Sequence, residues 1–563
     1  MIMAVVLSAL VLIGWTFLSD RFLPKAPVKP LVATQPANPT MVTADGAVVP
    51  AVGGAGQLRD RGAVLRETPR IAIVTPRLAG SINLRGARID DLVLTTYKET
   101  IKPDSPAVRL FAPSGSPQAY FGQFGWTGAG APAADTLWTA SSTRLTPTAP
   151  VTLSWTNPAG TVFEIVLAVD ADYMFTATQR VRNPGATPIT VRPWGLVSRT
   201  GEGVEKDASN LHIGPLGVVD GRLKDSEVAY KKLRDDGAQS FPTTGGWLGI
   251  TDKYWVAALI PDQKMPVVAR FASAPDDRFQ TDYLGGSIVV GPGQTSSTTA
   301  HLFAGAKEVN LIDHYKETLG IPLFDRAVSW GWFWFIAQPI FHLLDWLFKL
   351  VGNFGLAIIG LTAIIRAIMF PIANKQFQSM AKMRLVQPKM KEIQERYKDD
   401  KPKQQQEMMA LYKKEKVNPV AGCLPVVLQI PIFYALYKTL LVSTEMRHQP
   451  FVLWIKDLSV ADPLTPLNLF GLIPFQPPAM IAIGVLPIFL GITMYLQQRL
   501  NPTPMDPTQK QVFALMPWVF MFIMAPFAAG LVVYWITNNL LTIAQQAFMM
   551  RRYPMPATPV VTK

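Results

Sequence analysis

The chain has 563 residues, of which 49% are hydrophobic and only 17% charged, with a formal net charge of +13. Soluble domains usually carry about 25% charged residues, so the shortage points to a membrane. One cysteine, Cys423, excludes an intrachain disulfide framework and a multi-cysteine zinc site. The 5 histidines lack metal-binding spacing, and neither a phosphate-cradling GxxxxGKS/T loop nor a GxSxG elbow occurs. Zinc chemistry, nucleotide hydrolysis and acyl transfer lose their signatures, and neither a metal nor a cofactor is expected.

In chain order, residues 1–19 predict a transmembrane anchor, because 2–18 is a charge-free apolar run close to the length that crosses a core of about 30 Å. It also fits the h-region of a cleaved signal, but no A-x-A site follows, which favours a retained anchor. Residues 20–57, rich in Pro and Ala, read as an extended linker. Across 58–324 short alternating runs separated by turn signals (70–75, 89–97, 151–155, 161–169, 173–182, 247–260 and 287–290) predict a large β-sandwich with hardly any helix. Segment 325–351 places Trp330, Trp332, Trp334 and Trp346 among scattered charges, which suits an amphipathic helix at headgroup level, or alternatively a buried helix of the sandwich.

Five further apolar stretches follow, at about 352–372, 420–441, 479–497, 512–528 and 530–550. With the anchor they predict six spans: the second in 352–374 and the third to sixth in 419–550. Charge orients them. Residues 20–351 hold 32 Lys and Arg against 30 Asp and Glu, whereas 375–418 hold 12 against 6. The tail 551–563 is also basic. Positive segments stay inside, so the sandwich is expected outside, and the basic segment and C-terminus inside.

Arg366, in LTAIIRAIMFPI, is the only formally charged residue in the middle of a predicted span. Arginine at the bilayer centre costs about 2.5–3.5 kcal/mol on insertion scales, so it should face water, protein or a partner charge. Either the second span lines a polar cavity, or the side chain snorkels to a surface about 9 Å away. Thr362, Gln429, Tyr434, Tyr534, Trp535, Asn538 and Asn539 can complete a polar lining from three spans, although singly each fits interhelical hydrogen-bonding. In 375–418, Met380, Met383, Met390, Met408 and Met409 recur on a helical hairpin broken at 399–402. They serve either as the seam between its arms or as an adaptable apolar surface.

The strings GWFWFIAQPIF, RAIMFPI, SMAKMRLVQPKMKEIQERY, QEMMALYKKEKVNPVAGCLPVVLQIPIFYALYKTL, FVLWIKDLS and NNLLTIAQQ closely resemble the YidC/Oxa/Alb family of membrane protein insertases. The resemblance covers about 330–552 closely and the sandwich by position and pattern. It implies a multidomain inner-membrane protein: a helical bundle of six spans, five forming the core, with a periplasmic β-supersandwich and a cytoplasmic hairpin. It places Arg366, Thr362, Tyr534 and Trp535 in a water-filled groove closed to the periplasm. The apolar faces of the third and fifth spans (Ile430, Phe433; Met516, Phe520, Ile523) then guide a nascent helix into lipid. Implied partners are nascent membrane proteins, the Sec translocon with its SecDF accessory, the ribosome and membrane lipid; neither DNA nor nucleotide is expected, and no enzymatic chemistry.

Three departures stand out. Relatives commonly carry a short polar head before the first apolar run, so a start further upstream is expected; loop 464–478 is longer than in many of them; and Trp535 stands where many have tyrosine. Two other readings stay open from the residues alone: a secondary transporter or anion channel using Arg366 as solute site, and a membrane-anchored sugar-binding domain.

Overall fold

A computed structural model describes residue 49 and residues 58–203, 211–415, 424–473, 482–500 and 507–552. The predicted anchor 1–19 and nearly all of the linker 20–57 lie outside the described residues, as does most of the tail.

Residues 70–306 form two stacked sheets. The 11-stranded sheet runs from Gln239–Thr244 at one edge, through Pro266–Ala274, Arg278–Gly285, Ile189–Thr200 and Tyr120–Gly128, to Arg70–Val74 and the short Arg144–Leu145 at the other. The 9-stranded sheet is centred on Trp255–Ile260, Thr295–Ala306 and Met174–Arg182. Period-two burial explains the facing sides: in Val162–Val169, Phe163, Ile165, Leu167 and Val169 point inward while the residues between them stay half-exposed. The run 247–260 is not one strand. It folds as a hairpin, Trp247–Thr251 against Trp255–Ile260 with Leu248 opposite Leu259, because the chain turns at Lys253 and Tyr254. Helices α1 (Arg61–Arg66), α2 (Tyr230–Asp236) and α3 (Val309–Thr318) flank the sheets.

The chain leaves the sandwich through a 3-10 turn, Phe324–Ala327, and enters α4 (Trp334–Val351), so the helix starts about two and a half turns later than its composition suggests. Ala337, Ile340, Phe341, Leu344 and Leu347 are buried, while Trp334, Phe335 and Trp346 are exposed. Next comes α5 (Phe354–Arg396), a continuous helix of 43 residues with its N-terminus capped by the Asn353 side chain. The boundary drawn at 374 therefore falls inside a helix. After a turn, α6 (Lys401–Lys414) meets the far half of α5 through Val386, Met390, Ile393 and Leu411, with a Lys389–Glu415 ion pair at 2.7 Å.

Four helices complete the bundle: α7 (Leu424–Val442), α8 (Val485–Leu500), α9 (Pro507–Met524) and α10 (Ala529–Arg552). Among the described residues, one helical segment, Phe354–Asn374, is long and apolar enough to cross a membrane; Gln429–Val442 and Ala514–Met524 are shorter apolar helices.

Sandwich and bundle meet at residues 443–448. The Glu445 carboxylate accepts from the Val309 backbone N–H at the start of α3 (2.8 Å), and Arg447 donates to the carbonyls of Lys98 (2.6 Å) and Glu99 (3.0 Å). Burial, opposed by hydrogen bonds from Val309 and Ser443, pushes the Glu445 carboxyl from its ordinary 4.5 up to about 7. The folded protein thus holds a proton that the unfolded chain has released, so this group's contribution to stability declines as pH rises from 4.5 to about 7. Glu445→Gln keeps an acceptor for the Val309 N–H without the charge. The variant is expected to be more stable than the parent by about 1–2 kcal/mol at pH 8 and equal to it at pH 5. Thermal melts across that range check this, and parallel pH profiles for the two proteins would reject it.

Candidate functional site

Polar residues inside the bundle converge on α10. Tyr534 and Asn538, one helical turn apart, share a face, and both are buried. The half-buried Arg366 of α5 donates from Nε to the Asn538 side-chain oxygen at 2.8 Å. Among the described residues no carboxylate pairs with it, so an amide dipole rather than a countercharge holds the guanidinium. Gln429 of α7 donates to the Tyr534 hydroxyl, and Asn539 donates to Thr493 of α8 at 3.2 Å. Three helices are thus tied to α10 through side-chain hydrogen bonds, which specify one arrangement of an otherwise apolar bundle.

The remaining residues named from sequence are distributed differently. Thr362 is buried and donates to the Ile358 carbonyl of its own helix at 2.6 Å, so its hydroxyl is satisfied without Arg366. Tyr434 packs edge-on against Phe333 at 5.6 Å, at the entrance to α4. Trp535 lies between Phe433 and Phe520, each 5.1 Å away, and its buried indole N–H has no partner among the described residues. Phe433 and Phe520 are half-buried around it, whereas Ile430, Met516 and Ile523 are exposed. The five methionines of the basic segment also separate. Met390 packs on the α5–α6 seam, Met408 is half-buried and Met409 exposed; the side chains of Met380 and Met383 lie outside the described residues.

Sequence reasoning missed Lys438. It is 1% exposed on α7, with its stem beneath Gly331. Gly331 has φ +75°, and a Cβ there would lie 2.8 Å from the Tyr434 hydroxyl and 3.0 Å from Lys438 Cε, so glycine is required. The signal was a lone lysine near the end of an apolar run, where a charge ordinarily marks the run's exit from the membrane.

Comparison with known proteins places this architecture. Residues 346–556 match the family described as 60Kd inner membrane protein, and residues 70–343 match the YidC periplasmic domain. Together these define an inner-membrane protein that carries a periplasmic β-domain ahead of its membrane domain. The membrane protein insertase YidC of Zymomonas mobilis is 47% identical over 563 residues, covering 99% of this chain and 96% of the relative. That of Methylobacterium nodulans is 46% identical over 575 residues, covering 98% and 94%. The chain belongs to the YidC family and is a membrane protein insertase. Among solved structures, a YidC insertase with its first transmembrane domain resolved is 18% identical at TM-score 0.35, covering 85% of this chain and 92% of its own. A galactose mutarotase-like protein from Lactobacillus casei is 11% identical at TM-score 0.30, covering 42% and 99%.

Proposed function

We propose that nascent transmembrane segments enter from the cytoplasm into a hydrated groove between α5, α7 and α10, closed toward the periplasm, and leave sideways into lipid. A helix of about 20 apolar residues is already favourable in a bilayer, but its hydrophilic flank must cross the core, where each unsatisfied backbone group costs several kcal/mol. A polar recess part-way into the membrane shortens that dry path. Arg366 attracts acidic residues of the flank, Gln429, Tyr534 and Asn538 keep it solvated, and Ile430, Phe433, Met516, Phe520 and Ile523 present the apolar exit. In this reading six spans cross the membrane and α4 lies at the periplasmic headgroup level. The α5–α6 hairpin and the C-terminus face the cytoplasm, where the hairpin's exposed Met409 and positive charge meet the nascent chain and the ribosome. Insertion proceeds alone or beside the Sec translocon and SecDF, without nucleotide or covalent chemistry.

The observation that carries the reading is the half-buried Arg366 guanidinium, held by Asn538 with no carboxylate partner among the described residues. Arg366→Ala is expected to slow insertion of substrates with acidic translocated segments by about tenfold, equivalent to about 1.4 kcal/mol, and neutral ones much less. Reconstituted proteoliposomes with a matched acidic and neutral substrate pair measure this. Equal slowing of both would remove the electrostatic role.

A further inference from the structure

The connection between α7 and α8 contains a loop, residues 464–473, that turns apolar side chains outward. Leu467, Leu469, Phe470, Leu472 and Ile473 are between 44% and 84% exposed. No Asp, Glu, Lys, Arg or His occurs anywhere from 463 to 498. Loops that face water are built largely from polar turn residues, so five exposed apolar side chains in one short loop mark a contact surface.

The backbone narrows what that surface meets. A 3-10 turn, Pro466–Asn468, is closed by a reciprocal cap: the Thr465 N–H donates to the Asn468 side-chain oxygen at 3.2 Å, and the Asn468 N–H donates to the Thr465 hydroxyl at 3.3 Å. The N–H groups of Leu469, Phe470, Gly471, Leu472 and Ile473 then donate to the carbonyls of Pro466, Thr465, Asn468, Leu469 and Asn468 in turn, at 2.9–3.3 Å. Six successive N–H groups, 468–473, are thus satisfied inside the loop. Holding this shape puts Leu469 and Phe470 at φ +47° and +56°, a left-handed conformation unfavourable for residues that carry a Cβ. In water, solvent would meet any donor the loop left over; in hydrocarbon an unmet one is costly, which makes the internal bonding worth its strain.

The length of α8 gives the apolar loop a use. Its 16 residues extend about 24 Å and include Arg499 in the last turn, so the helix falls short of a hydrocarbon core of about 30 Å. A short span requires either a thinner bilayer or further apolar surface at its end. The loop is tied to the end of α8 opposite Arg499: the Val485 N–H donates to the Leu464 carbonyl at 2.9 Å and the Leu486 N–H to the Asp462 carboxylate at 2.8 Å.

We propose that loop 464–473 is a lipid-binding element whose apolar tip dips into the periplasmic leaflet and packs against the acyl chains bordering α8. The inference rests on the reading given above, in which α8 crosses the membrane with its first turn toward the periplasm. It adds a lipid contact outside the proposed groove, made by a connection rather than by a span.

Spin labels on single cysteines in the full-length protein test the contact. Leu467→Cys and Leu472→Cys, both at exposed positions, are each combined with Cys423→Ser and placed in nanodiscs of phosphatidylethanolamine and phosphatidylglycerol. Val289→Cys, on an exposed position of the sandwich, is the reference in water. Collision with oxygen, which concentrates among acyl chains, is expected to exceed collision with a water-soluble nickel chelate at 467 and 472, and the order is expected to reverse at 289. Nickel exceeding oxygen at 467 and 472 would place the tip in water and overturn the proposal. Labels shielded from both reagents would mean that protein, a second copy included, covers the tip, and would overturn lipid as its occupant. Arg499→Cys in the same Cys423→Ser background tests the orientation of α8 separately. A membrane-impermeant maleimide added to intact spheroplasts is expected to modify it only after lysis; modification from outside would reject the orientation and the periplasmic leaflet without altering the depth readings.

Discussion

Replacing Asp462 with alanine is expected to destabilise the membrane domain by about 3 kcal/mol, among the larger losses a single side chain can produce there. Asp462 is 6% exposed and satisfies three donors. One oxygen accepts from the Trp454 indole N–H at 3.0 Å and the Leu464 backbone N–H at 3.0 Å; the other accepts from the Leu486 N–H at 2.8 Å, in the first turn of α8. The contact is also steric: a Cβ on Gly484 would lie 2.6 Å from Asp462 Cβ, so the carboxylate is pressed against the chain where α8 begins. Alanine would leave three donors unpaired. Water can reach some of them after relaxation, which keeps the expected loss nearer 3 kcal/mol than the simple sum. Asp462→Asn should be intermediate, since its oxygen serves Trp454 and Leu464 while its NH2 group opposes the Leu486 N–H. Thermal melts in detergent, with hydrogen exchange at the Leu464 and Leu486 amides, should give parent above Asn above Ala. An alanine variant melting within about 1 °C of the parent would reject the argument.

How far the sequence could be read depended on whether burial left a one-sided pattern. Strands Val162–Val169 and Met174–Arg182 alternate because one face is buried, and they stand close to the runs predicted from residues 161–182. Strands Trp247–Thr251 and Trp255–Ile260 are buried on both faces, so no alternation marked the turn between them. The continuity of α5 past residue 374 was hidden for the opposite reason. Its composition changes from apolar to basic there, but Lys, Arg, Gln and Met are all good helix formers, and the backbone does not register the change.

The site divided the same way. Arg366 and Asn538 were recognisable as polar residues in apolar surroundings, but their pairing spans 172 residues and only the fold creates it. Thr362 stood at a plausible spacing from Arg366, yet a hydroxyl on a helix can bond back to its own carbonyl four residues earlier, and this one does. Tyr434 lies on the same helix as Gln429 and near it in sequence, but its ring goes to Phe333. Spacing along one helix did not reveal that the chain entering α4 covers part of it.

Replacing Arg270 with alanine is expected to destabilise the sandwich by about 3–5 kcal/mol, whereas replacing both Arg270 and Asp282 with apolar residues should restore most of the loss. The two side chains are 4% and 2% exposed on neighbouring strands, where Arg270 stands directly opposite Asp282. Arg270 donates from Nε at 3.1 and 2.9 Å and from an NH2 group at 2.6 Å to the carboxylate, which also accepts from Gln280 at 2.7 Å. Burial raises the Asp282 carboxyl above its ordinary value despite these bonds. Without Arg270 the main opposing influence disappears, so the carboxyl must take up a proton or remain as an unpaired buried charge. The Arg270→Ala deficit should therefore grow as pH rises, because holding the proton costs more when fewer are free. Arg270→Met with Asp282→Leu keeps similar volume and removes both desolvation costs at once; Gln280 then loses one acceptor, which sets a residual cost of about 1–2 kcal/mol. Melts of the full-length single and double variants at pH 6 and pH 8 separate two accounts of the pair. A double variant as damaged as the single one would mean that attraction between the charges stabilises this sheet, and recovery would mean that the pair chiefly offsets the cost of its own burial.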